Sequence, residues 1–140
     1  EELHRNMAFT LYHAECMPRL AIGDVEVTAL TGDVHSVRIA VENRGLIPTR
    51  IAQDVENGIT PPNVATLSGP GVEILKSGVV EDPGLDKVAW QKVRPERLLV
   101  EAVPGNGRLW VEFLVKGAGP ATFRFEASRG GVREAAVEIE

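Results

Sequence analysis

A chain of 140 residues, 44% of them hydrophobic, is long enough to build one core that buries roughly two thirds of its unfolded surface. Its 15 basic and 20 acidic side chains give a net charge of -5 and form no run of like charge, so the basic stripe of a nucleic-acid binder is missing. No apolar run approaches the ~20 residues that cross a bilayer, and the single cysteine, Cys16, excludes both an internal disulfide and a four-thiolate zinc site.

In chain order, Leu3, Met7, Leu11, Ala14 and Met17 fall near helical spacing until Pro18 stops the pattern. Because the chain opens on Glu1, residues 1–18 read as a linker or short helix leading out of an upstream domain, and residues 19–140 as a separate globular unit. Val25, Val27 and Ala29 alternate with Glu26 and Thr28. Thr31-Gly32-Asp33 then turns the chain into a second strand, where Val37, Ile39 and Val41 alternate with Arg38, Ala40 and Glu42, and this predicts a hairpin. Asn43 lies on the buried parity where that run ends. With Gly45 and Pro48 close behind, it suits a strand-exit corner in which a side chain binds local backbone.

Ile51 to Val55 reads as a short strand, and the Gly- and Pro-punctuated stretch Asn57 to Gly71 leaves room for a brief one around Val64 to Leu67. Val72 to Gly78, and then Val88 with Trp90, are further extended pieces separated by the polar turn Glu81-Asp82-Pro83-Gly84. Leu98, Val100 and Ala102 alternate. Leu109, Val111, Phe113 and Val115 make the longest clean alternation, followed by Phe123 with Phe125 and by Val137 with Ile139, each run bounded by Gly or Pro. Seven to nine short strands spaced in this way predict an all-β, antiparallel β-sandwich of immunoglobulin or transthyretin-like type.

Chemistry-bearing residues are sparse. His4, His13, Glu15 and Cys16 sit beside a terminus without a third orienting group, and His13 with Glu15 diverges on a helix, so neither a Cys–His nucleophile nor a zinc site is expected. His35 reads as a surface imidazole, and Glu81, Asp82 and Asp86 as a solvated acidic turn whose spacing fits no calcium loop. No catalytic, metal-binding or cofactor-binding residue is assigned. The exception to a bland surface is Trp110 with Leu114, on the strand face opposite Leu109, Val111, Phe113 and Val115. A strand apolar on both sides needs cover on the second side, either from the chain's own Asn57 to Gly71 or from a neighbouring domain or ligand.

Three segments carry a family resemblance. Glu112-Phe113-Leu114-Val115-Lys116-Gly117-Ala118-Gly119 with Ser128-Arg129-Gly130-Gly131-Val132, the corner Asn43-Arg44-Gly45-Leu46-Ile47-Pro48-Thr49, and Met17-Pro18-Arg19-Leu20 with Gly23-Asp24-Val25-Glu26-Val27 resemble, in the same order, the end of bacterial zinc carboxypeptidases of the carboxypeptidase A-like class. Met17 stands where that family has His, and Phe113 where it has Trp. The family's zinc-binding His-x-x-Glu has no counterpart here. The resemblance therefore implies a non-catalytic β-sandwich that packs against an upstream peptidase domain of the same chain, with zinc held in that domain and none in this one. A free-standing surface module for glycan or adhesion is the rival reading, and a homodimer through the Trp110 face is a further expectation.

Overall fold

We describe residues 5–8, 17–82, 84 and 87–139 of a computed structural model. Helix α1 is described over residues 5–8, which are exposed. The remaining elements are β1 (Leu20–Ala29), β2 (Val34–Asn43), α2 (Ala52–Asn57), β3 (Asn63–Ser68), β4 (Val72–Asp82), β5 (Lys87–Trp90), β6 (Arg97–Val100), β7 (Gly107–Gly117), β8 (Gly119–Ala127) and β9 (Gly131–Ile139). Among the described residues the nine strands form two antiparallel sheets, a five-stranded one ordered β1-β2-β7-β4-β5 and a four-stranded one ordered β6-β3-β8-β9. The protein is an all-β sandwich.

Period-two patterning produces this architecture. Val37, Ile39 and Val41 on β2 stand opposite Phe113, Val111 and Leu109 on β7, and Ala65 and Leu67 on β3 stand opposite Phe125 and Phe123 on β8. These inward rows close one core, in which Phe113 and Phe123 meet edge to face with ring centroids 6.1 Å apart. The predicted hairpin joins β1 to β2, with Gly32 at φ 65° in the turn, a left-handed conformation that glycine adopts without steric cost.

Two expectations are corrected, and one alternating run is more exposed than its parity implies. His35 shares the parity of Val37, Ile39 and Val41, so it faces inward and is only 7% exposed instead of lying on the surface. Ile51 to Val55 does not form a strand. The Val55 amide reaches the Ile51 carbonyl at 3.2 Å, and Ala52–Asn57 is helical, as a stretch without alternation permits. Val25 and Val27 pair with Ile39 and Val37 and so share the core face, yet both remain exposed: the sheet opposite has one strand fewer, and this half of β1 is left uncovered.

Candidate docking face

Strand β7 lies between β2 and β4, so its outward residues are flanked on both sides. In register, Leu114 sits between Ser36 and Lys76, Glu112 between Arg38 and Gly78, and Trp110 between Ala40 and Val80. Gly78 in turn pairs with Trp90 on the edge strand β5. Trp110 and Leu114 are both half-buried. Residues 57–71 do not cover them. Their strand, β3, belongs to the other sheet and packs on the Val111–Phe113 side of β7. That loop-cover expectation is therefore corrected.

Between Trp110 and Leu114 lies a carboxylate that sequence reading passes over. Glu112 is 6% exposed although it points away from the core; the Ser36 hydroxyl donates to its Oε1 at 2.5 Å, and the Arg38 Nε lies 3.4 Å from the same oxygen. A sunken carboxylate is tolerable when it is both hydrogen-bonded and paired. The rim of the face is charged: Arg108 joins Glu42 at 2.5 Å and Asp24 at 3.3 Å, while its guanidinium lies 6.0 Å from the centre of the Trp110 ring. Lys76 is placed in the same way over Trp90, at 5.9 Å. One side of each indole thus faces a cation.

The strand-exit corner frames one end of this sheet. Asn43 is buried; its Oδ1 accepts from the amides of Arg19 at 3.0 Å and Gly45 at 2.9 Å, and its Nδ2 donates to the Ile47 carbonyl at 2.9 Å. Gly45 is fully enclosed, and a Cβ there would stand 2.1 Å from the Met17 carbonyl oxygen, so any side chain would force the two segments apart. Pro48 is half-buried, leading into Thr49 and Arg50, which are buried. The Thr49 hydroxyl accepts from Asn63 Nδ2 at 2.7 Å and from the Val103 amide at 2.8 Å, while the Arg50 guanidinium donates to the Thr60 hydroxyl and to the carbonyls of Thr60 and Glu101. Polar Thr and Arg side chains in a loop, with an Asn at the start of β3, give no pattern from which this joint could be read.

His4, His13, Glu15, Cys16 and Asp86 lie outside the described residues. Glu81 pairs with Lys87 at 3.4 Å. Among the described residues no three His, Cys, Asp or Glu side chains are grouped so as to hold a metal ion, and no helix is long and apolar enough to cross a membrane.

The fold and this face define a β-sandwich domain with a crowded outer sheet surface. Residues 19–138 match the family described as Domain of unknown function (DUF8731), and the chain belongs to that family. No curated protein matches it. Among solved structures, a conjugate transposon protein (residues 27–141) from Bacteroides vulgatus is similar at 15% identity, with 89% of this chain and 85% of that chain covered and a TM-score of 0.44. The cupredoxin domain of amoB from Nitrosocaldus yellowstonii is similar at 11% identity, with 77% and 56% covered and a TM-score of 0.39. DesR, a beta-glucosidase from Streptomyces venezuelae, is similar at 12% identity, with 88% of this chain and 15% of that chain covered and a TM-score of 0.35.

Proposed function

We propose that this chain is a non-catalytic accessory domain that docks onto a neighbouring domain through the outer face of β7. The observation that carries the reading is a half-buried Trp110 and Leu114 beside a sunken Glu112, rimmed by the Arg108–Glu42–Asp24 ion pairs. An apolar patch framed by charge suits a protein partner, whose apolar side chains seal the centre while the rim fixes orientation. The glycan-binding alternative needs open ring faces for sugars to stack on, and Arg108 and Lys76 occupy one face of each tryptophan. That observation favours docking.

The partner we propose, an upstream zinc carboxypeptidase domain of the same polypeptide, rests on the sequence resemblance alone. Translating the coding sequence upstream of Glu1 tests it: an open frame containing His-x-x-Glu supports it and a stop codon overturns it. The docking claim has its own test, sedimentation of the chain together with the polypeptide encoded upstream. Trp110→Ser and Leu114→Ser are expected to weaken that association, or self-association where the second copy is the occupant. Unchanged association in both variants would overturn the docking face. We further propose that the isolated chain neither keeps stoichiometric zinc after dialysis nor removes C-terminal residues from peptides, and turnover with retained zinc would overturn the non-catalytic reading.

A further inference from the structure

The four-stranded sheet also has an outward face, and its β6 edge is organised by a side chain that does not belong to the sheet. The backbone of Gln91 bonds to Ser77 in the other sheet, its amide donating to the Ser77 carbonyl at 2.8 Å. Its side chain then turns to β6: Oε1 accepts from the Leu99 amide at 2.8 Å and Nε2 donates to the Arg97 carbonyl at 2.8 Å, the two groups that an added strand would have used. The same Nε2 reaches the carbonyls of Val93 at 2.7 Å and Arg94 at 3.0 Å. One amide therefore seals the edge and fixes the 92–96 loop. Arg94 is held at φ 52°, a left-handed conformation that an arginine adopts only when its surroundings impose it.

The fixed loop turns its side chains outward. Lys92, Val93 and Arg94 are exposed, Val93 by 69%. The depression they line shares Arg97 and Leu99 with a second depression, floored by Pro61, Pro62, Val64 and Val132. Leu99, Val64 and Val132 occupy one row across β6, β3, β8 and β9, with Glu126 between the last two, and Leu99 is 47% exposed. Arg124 on this sheet is neutralised by Glu126 at 2.6 Å and Glu134 at 3.9 Å. Lys92, Arg94 and Arg97, by contrast, form no ion pair among the described residues. The result is a row of three apolar residues, interrupted by the Arg124-paired Glu126, with three cations at one end that have no ion pair among the described residues, in a chain whose net charge is -5.

We propose that this groove binds an extended acidic polypeptide segment, with apolar side chains seated on Leu99, Val64 and Val132 and carboxylates held by Lys92, Arg94 and Arg97. Charge complementarity selects the acid and the apolar row selects a polypeptide. A nucleic-acid strand would want stacking aromatics, and among the described residues no aromatic side chain lines either depression. Because Gln91 blocks the β6 edge, the segment lies across the sheet face and does not extend the sheet. The loop is set before the ligand arrives, which limits the ordering lost on binding.

The test is an NMR titration of the isotope-labelled full chain with a short synthetic peptide of alternating Glu, Leu, Asp and Val, beside a counterpart carrying Lys in place of each acid. The acidic peptide is expected to shift amides at residues 91–99 and around Val64 and Val132, to weaken with added salt, and to leave Trp110 unmoved. The double variant Arg94→Glu with Arg97→Glu is expected to lose affinity by about tenfold or more, as reversal of two of the three groove cations should. These side chains are exposed, so the fold should survive. Gln91→Ala removes no contacting charge and is expected to weaken binding through loop disorder, read as increased loop mobility in the same spectra. Equal binding of the Lys peptide, shifts confined to other surfaces, undiminished affinity in the double variant, or tighter binding of oligodeoxythymidylate would each overturn the proposal.

Discussion

Strands β7 and β8 are both central in their sheets and nearly equal in length, yet they are buried differently. β8 alternates strictly, with Ala121, Phe123, Phe125 and Ala127 buried and every residue between them exposed. β7 is buried continuously from Val111 to Phe113, and the outward Trp110 and Leu114 are half-buried. An antiparallel sheet with one wet face gives the first pattern. The second needs a reason on the outer face, and part of it is local: Ser36, Arg38 and Arg108 close over Glu112 and Trp110. The rest is the patch of Trp110 and Leu114, which the chain's own residues 57–71 do not cover.

Truncation on either strand should test how far the two share one core. Phe113→Ala and Phe123→Ala each remove half of the edge-to-face pair at the sandwich centre, and each should cost about 3–5 kcal/mol in urea melts. A large cost for one and a small cost for the other would mean that the two sheets do not share a single packed interior. Asn43→Ala should cost about 1–3 kcal/mol, because the amides of Arg19 and Gly45 and the carbonyl of Ile47 lose their partner together. Unchanged stability would remove Asn43 from the account of the corner.

Glu112→Gln keeps an acceptor for Ser36 but removes the charge facing Arg38, so about 1 kcal/mol is expected. Its β8 counterpart is Glu126→Gln, where an exposed ion pair to Arg124 is lost and about 0.5 kcal/mol or less should follow. Equal effects at the two positions would show that burial on the β7 outer face has no energetic weight.

Most of the fold was legible because alternation survives wherever one face is wet: Val111, Phe113 and Val115, Phe123 with Phe125, and Val137 with Ile139 all fall on buried positions of observed strands, and Leu109 packs, partly buried, against the same core. Legibility failed where tertiary context decided. Ile51 to Val55 carries two β-branched residues but no alternation, and local hydrogen bonding made part of it a helix. His35 sits on a buried parity, which the strand phase revealed and its polar identity obscured. Glu112 looked like an ordinary outward charge because its neighbours Ser36 and Arg38 are distant in sequence and come together only through the β2–β7 register. Gln91 gave no sign at all, since glutamine in a loop carries no pattern, and its role depends on the edge of β6 being within reach.

We propose that Trp110 belongs to a surface made for contact and not to the interior. The most direct measurement is urea unfolding of Trp110→Ser in the isolated chain. The expected result is a loss of about 1 kcal/mol or less with an unchanged denaturant slope, as for a position whose main contacts lie outside the domain. A loss of about 3–5 kcal/mol, the cost of emptying a core aromatic site, would contradict it.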